Sequence, residues 1–306
     1  MIALLSTSAI SHNVYAQDEN KESISEAKEE IKKEIKEEIK DESAEEQTLA
    51  QTLKDKIAYD GYLPVYQDSE DGTALMVIDE GKLNKPFLYF ANTVEGVVDA
   101  GHFRGGFRQH RLIEMRRVFD RIEIVAMTPR YYFDPDNAIS KAANANTSEA
   151  VLVSTKIVNE EDGRIAIKLE DVVKNQKLHR VAPMPSSSPE AEKKRFKLGK
   201  LSDDKSKIAA IDNFPANTHI VVDYVFENDT PKVRGGNYIT DPRYTTISLQ
   251  HAFIELPDNN FASRRDDPRI GYFGKQFDDL TTDQTFIGRD VINRWHLEKK
   301  DPNAAV

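Results

Sequence analysis

The 306-residue chain carries 42 Lys and Arg against 52 Asp and Glu, a formal charge of −10, and is 39% apolar. That length is enough for one large domain or two smaller ones with a buried core, and the absence of cysteine excludes disulfides, thiolate catalysis and Cys-ligated zinc. An acidic chain whose basic residues fall only in short runs such as Lys193-Lys194-Arg195 is not built to hold nucleic acid, because phosphate backbones need a basic face.

In chain order, "MIALLSTSAISHNVYAQDE" places a short run of apolar and small residues before Val14-Tyr15-Ala16 and then turns acidic. This predicts a shortened secretory signal peptide over residues 1–16, cleaved after Ala16, and hence a secreted or periplasmic protein. The basic residues that usually open such a peptide are missing, which a start codon placed too far downstream explains. No later segment approaches 18 consecutive apolar residues, so no transmembrane span is expected.

Residues 17–58 are expected to form an acidic helical or partly disordered spacer. Residues 18–58 hold 14 Asp or Glu and 8 Lys, with Ile31, Ile35 and Ile39 four apart and pairs such as Glu29 and Lys33 at helical spacing. The reading favoured here is a long charged helix. Its apolar stripe is one residue wide and drifts against a 3.6-residue turn, which argues against a sustained coiled coil.

From Asp60-Gly61 the pattern becomes extended. The runs "YLPVYQ", "TALMVIDEG" and "PFLYFANTV", then "RLIEMRRVF", "RIEIVAM" and "YYF", are rich in β-formers and divided by turn signals. A helix is expected across Ala138 to Ala145, followed by "EAVLVSTKIV" and "GRIAIKL" around Glu-Asp-Gly, a loop over residues 182–195, and strands at "HIVVDYVFE" and "TTISLQHAFIELP". The predicted fold class is α+β, mainly antiparallel β, sandwich-like or of packed sheets. The domain organisation reads as a mainly β noncatalytic domain over residues 59–285 and a linker over 286–306.

Catalytic constellations are not visible. The seven histidines include no pair at the His-Glu-x-x-His spacing that puts two imidazoles on one zinc. His110 and Glu114, with His102 nearby, are the nearest thing to a metal-ligating group, though such isolated pairs usually have structural roles. No Gly-x-Ser-x-Gly elbow is present. The segment "GHFRGGFRQ", flanked by Arg104 and Arg108, reads either as an anion-binding nest or as a tight turn, the latter favoured. Asp266-Asp267 and Asp278-Asp279 read as solvated turns or caps.

Two blocks near the C-terminus, "HAFIELPDNNFASRRDDPRIGYFGKQFDD" and "INRWHLEKKDPNAAV", together with "LNKPFLYFANTVEG" upstream, resemble the noncatalytic N-terminal region of a family of large bacterial secreted zinc-dependent metalloproteases. The resemblance covers roughly residues 60–306. It implies a metzincin-like peptidase domain following a segment like Arg294–Val306, whereas this sequence stops at Val306 without the zinc-binding helix. The family's zinc ligands and general base therefore have no positions here, so the chain by itself is expected to be inactive and to bind no cofactor, zinc being implied only for the missing catalytic domain. The implied partner is that metallopeptidase domain, in cis or in trans, and beyond it a protein substrate. Arg264, Arg265, Asp267, Arg269, Tyr272, Phe273 and Trp295 are the expected interdomain contacts, since arginine and aromatic residues are enriched at interfaces. The alternative is a stand-alone secreted β-rich module that binds a surface protein or glycan, using an aromatic patch of Tyr131, Tyr132 and Phe133.

Overall fold

The computed structural model describes residues 47–134, 136–142, 147–258, 261–281, 287–295, 297 and 303. The chain divides into two units, residues 1–47 and 48–306, and the fold described is that of the second. The expected signal peptide, and the charged helix as far as residue 46, lie outside the described residues. Over residues 47–58 the chain forms one short helix, α1 (Leu49–Leu53), and then already a strand, β1 (Ile57–Tyr59).

Eleven strands make one antiparallel sheet. They are β1, β2 (Val65–Gln67), β3 (Ala74–Asp79), β4 (Phe87–Glu95), β5 (Phe107–Val118), β6 (Arg121–Met127), β8 (Ala150–Glu161), β9 (Arg164–Lys168), β10 (Lys200–Phe214), β11 (Asn217–Glu227) and β12 (Tyr244–Glu255). Their order across the sheet is β1-β2-β3-β9-β8-β6-β5-β4-β12-β11-β10. A smaller three-stranded sheet consists of β14 (Ile287–Ile292), β13 (Gly274–Asp279) and β7 (Tyr131–Tyr132), with β7 parallel to β13.

The inner face follows from residue alternation. Phe87, Tyr89, Ala91 and Thr93 of β4, and Thr218, Ile220, Val222, Tyr224 and Phe226 of β11, are buried while their neighbours are partly exposed. β9 departs from alternation because Ile165, Ala166 and Ile167 are all buried. Ala166 joins Val77 and Leu49 in a second apolar cluster, so α1 covers that stretch of the sheet's other face. A capping box at Thr48 and Gln51 closes the start of α1, and Glu161 accepts a hydrogen bond from the Leu49 amide.

The expected packed sheets are instead one sheet curled until its two edge strands meet. The Tyr62 amide donates to the Phe214 carbonyl (2.7 Å), and Asn213 Nδ2 donates to the carbonyls of Tyr59 and Leu63, each at 2.8 Å. Asn213 Oδ1 accepts from Thr218 Oγ1 (2.6 Å), which in turn accepts from the Leu63 amide (3.0 Å). Gly61 is needed at this seam, since a Cβ there would lie 2.2 Å from Asn213 Oδ1. Closure is favoured over a sandwich because a single curled sheet turns both halves of the apolar pattern inward and pairs part of each edge.

Registers place the connections unevenly. β5 to β6, β8 to β9 and β10 to β11 are joined by two-residue turns at one end, whereas residues 96–106, 128–149, 169–199 and 228–243 all emerge at the other. The 169–199 connection, which holds α2 (Leu169–Val173) and α3 (Pro189–Lys194), sends Val172, Val173, Leu178, Val181, Phe196 and Leu198 into the main core. Residues 182–195, read as loop, thus include one helical turn and a half, capped by Ser188 with proline at its first position. The helix expected at 138–145 is a 3-10 turn over Ala138–Ala142, and its remainder lies outside the described residues.

Replacing Asn213 by Ala removes the partner of two strand-edge carbonyls and the acceptor of Thr218. The expected loss is about 2–4 kcal/mol in urea unfolding, with faster hydrogen exchange at the Tyr62 amide.

Candidate functional site

Buried polar side chains meet the 169–199 connection where it packs inside the sheet. His251 on β12 is fully buried, with Tyr89 of β4 2.8 Å from Nδ1 and Tyr224 of β11 2.7 Å from Nε2. The Tyr224 hydroxyl also contacts the Val173 carbonyl, which can only accept. Tyr224 therefore donates to Val173 and accepts from His251 Nε2–H, leaving Nδ1 to accept from the Tyr89 hydroxyl. The imidazole is neutral with a single tautomer, and the chain of hydrogen bonds ties α2 to the sheet. Burial and the nearby His179 hold the His251 pKa down to about 3, and burial raises the hydroxyl pKa values of Tyr89 and Tyr224 well above the ordinary tyrosine value.

His102 repeats this arrangement between two connections. Its Nε2 lies 2.9 Å from the Val181 carbonyl and so carries the proton, while Nδ1 accepts from Thr93 Oγ1 at 3.2 Å. Burial lowers its pKa to about 4. His179 is 9% exposed, and burial together with Arg108, His102 and Arg111 lowers its pKa to about 4 as well.

The glycine segment resolves as a turn. Gly101 and Gly105 have positive φ, and the amides of Gly101, His102, Gly105 and Gly106 all donate to backbone carbonyls, so the backbone is not an anion nest. The imagined metal group does not form either. Four strand residues separate His110 and Glu114 by about 13 Å, His110 stacks near Phe107, Glu114 is held by Arg116, and His102 is committed to Thr93 and Val181. Among the described residues no group of three or more His, Asp or Glu could hold a metal ion.

The expected interdomain residues are brought together by the small sheet. Arg265 bridges Val291 of β14, and the Ile292 amide donates to the Arg264 carbonyl at 3.0 Å. Asp267 accepts from the Arg269 amide (2.9 Å) and from its guanidinium (2.8 and 2.6 Å), which lowers the Asp267 pKa to about 2. This pair closes its own exposed turn. The Asn293 amide donates to the Phe273 carbonyl at 2.8 Å, which sets Tyr272 and Phe273 beside the strand end that leads to Trp295. Phe273 is 90% and Trp295 85% exposed, with Tyr272 and Leu297 also exposed.

Asp278 and Asp279, read as solvated, are buried instead. Asp278 accepts from Arg130 Nε at 2.8 Å, and its amide donates to the Arg130 carbonyl at 2.7 Å, so the pair fastens β13 to the connection that follows β6. Tyr131 and Tyr132 of the alternative aromatic patch lie in β7 and are partly exposed, with Tyr132 edge-on to Phe277.

Residues 106–300 match the family described as a domain of unknown function (DUF5117). The chain belongs to that family. No curated protein and no solved structure matches it. The DUF5117 segment begins one residue before β5, so β1 to β4 fall outside it. Yet β4 pairs with both β5 and β12. The DUF5117 segment by itself would leave one edge of each of two long central strands unpaired, and the folding unit includes what precedes it.

Sequence reasoning missed the interior cluster because its members are scattered from Tyr89 to His251. Burial of a histidine was the only signal, and it is not visible in composition.

Two outcomes are expected. A fragment of residues 106–300 should lack the cooperative thermal transition that residues 48–306 show by circular dichroism. For pH, the histidine pKa values are depressed, so the unfolded state takes up protons below pH 6.5 that the folded state refuses until about pH 4 or 3. Stability should fall as pH drops through this window by up to about 1.4 kcal/mol per unit for each histidine, and imidazole nitrogen spectra should show the neutral Nε2–H tautomer of His251 at pH 5.

Proposed function

We propose that this chain is the noncatalytic N-terminal part of a secreted zinc-dependent metalloprotease, a rigid β-barrel-like body that packs on the peptidase domain through its small sheet. The observation that carries this reading is the cluster of exposed apolar side chains Tyr272, Phe273, Trp295 and Leu297 around β13 and β14. Large apolar residues concentrated on one outlying element point to a surface that another body covers. These residues flank the last described strands, after which the resemblance expects the peptidase domain to follow. The small sheet also rests on Arg130 and Asp278 rather than on the barrel core, so it could adjust to a neighbour without disturbing the closed sheet.

The role is one of holding or shaping. The module would keep the peptidase domain folded or border its cleft, while the chemistry belongs to that domain. The stand-alone module is the second reading, favoured by the exposure of Tyr131 and Tyr132 at the opposite edge of the same sheet.

The discriminating experiment adds a separately produced metzincin-like peptidase domain of the resembling family to this protein and measures association by calorimetry and casein cleavage. Association should be lost, or weakened by at least about tenfold, in Phe273→Asp and Trp295→Asp. Equal peptidase folding and activity with and without this chain would overturn the reading, and glycan or surface-protein binding that depends on Tyr131 and Tyr132 would replace it.

A further inference from the structure

We propose that the crowded end of the barrel contains a binding site for a single oxyanion, a phosphate or a carboxylate, formed by Arg108, Arg111 and His179. The site is independent of the small sheet and of the docking role assigned to it.

Position brings the three residues together. Arg111 stands directly opposite Tyr89 in the ladder between β4 and β5, and Tyr89 is a fully buried inner-face residue, so Arg111 belongs to the interior row. Arg108 lies where that ladder slips by one residue, between the pairs Ala91 with Gln109 and Asn92 with Phe107. Such a bulge re-aims a side chain that regular pairing would send to the other face. Arg108 is anchored by one terminal nitrogen, Nη1, on the Gly101 carbonyl at 2.8 Å. His179 comes from the connection that fills the barrel, and both guanidinium charges act on it.

The polar accounting then singles these residues out. Arg108 Nε, Arg111 Nε and His179 Nε2 are each shielded from solvent and lack a hydrogen-bond partner. A shielded donor without a partner is costly, and the two guanidinium Nε–H groups, with His179 in its Nε2–H tautomer, form a set of donors suited to the same kind of group. Several other arginines are matched by carboxylates: Arg116 by Glu114 and Glu149, Arg117 by Glu160, Arg130 by Asp278 and Arg269 by Asp267. Arg108 differs in that burial alone acts on it and lowers its pKa. The groups that act on His179 are Arg108, His102 and Arg111, with no carboxylate among them.

Two guanidinium groups and a neutral imidazole suit an oxyanion because guanidinium nitrogens form a planar fork that matches the oxygens of a carboxylate or phosphate. His179, uncharged at neutral pH, supplies a further donor without adding repulsion. The closed backbone of residues 101–106 plays no direct part, and it serves to hold the Gly101 carbonyl that positions Arg108.

The test follows the imidazole nitrogens of the wild-type protein by NMR at pH 7 while sodium phosphate or sodium acetate is added, against sodium chloride at matched ionic strength. The expected result is a saturable shift at His179, a rise of its pKa from about 4, and at least a tenfold weaker effect in Arg111→Gln. Saturation by phosphate but not acetate assigns a phosphate-bearing ligand, and the reverse assigns a carboxylate. Because Arg111→Gln could fail to fold, wild-type melting is measured in parallel, with a saturable rise in Tm expected with the binding anion. No shift and no rise beyond chloride overturns the proposal, as does an Arg111→Gln protein that folds and titrates like wild type.

Discussion

An eleven-stranded sheet that curls on itself encloses more space than its own side chains can fill, and the rest of this structure answers that constraint. About eight strands suffice for an interior packed by side chains alone. Here the surplus is filled by the connection from residue 169 to 199, which contributes seven buried apolar side chains to the main core, Leu169 among them. A plug of this kind has irregular backbone, so its carbonyls must find donors inside the barrel. Val173 finds the hydroxyl of Tyr224 and Val181 finds His102, so the buried polar network follows from the width of the sheet. Tyr89, Tyr224, His102 and His251 remain neutral because burial disfavours their charged forms and each of their polar hydrogens has an acceptor.

The same constraint separates the two ends of the molecule. Tight turns close one end, where Asn213 stitches the edge strands together, and long connections crowd the other. Chemistry that needs convergent side chains collects at the crowded end, as is usual for loops carried on a rigid sheet. The small sheet hangs from that end too, since β7 lies four residues beyond β6. The body thus carries two surfaces of different character, one apolar and outward, the other cationic and recessed.

Much of this was legible in the sequence wherever one face of a strand is buried. Phe87–Glu95, Arg121–Met127, Asn217–Glu227 and Tyr244–Glu255 announce themselves by alternation or dense β-formers. β10 escaped notice because almost all its side chains are outside the core, and Ile287–Ile292 was read as linker because it is short and stands in a small sheet without a large core of its own. Closure itself was not legible. Alternation is the same in a sandwich and in a curled sheet, and the pairing of β9 with β3 is a long-range contact that no local pattern encodes. Of the residues expected as contacts from the resemblance, the aromatic ones, Tyr272, Phe273 and Trp295, are exposed. The Arg108, Arg111 and His179 set was only hinted at by Arg108, because the other members depend on register and on the course of the plug.

β10 has a further consequence. It ends the sheet, and only its last residues meet the opposite edge, which leaves most of a fifteen-residue strand with one side of its backbone unpaired. Its ladder with β11 slips twice, between Ser202 and Lys207 and between Ile208 and Ala210, and it carries Asp203, Asp204, Lys205 and Lys207 in that stretch. Irregular, charged edges are poor templates for another strand. The incomplete seam is therefore a poor template for another strand, and copies of this body can be held at high local concentration without growing into a continuous sheet.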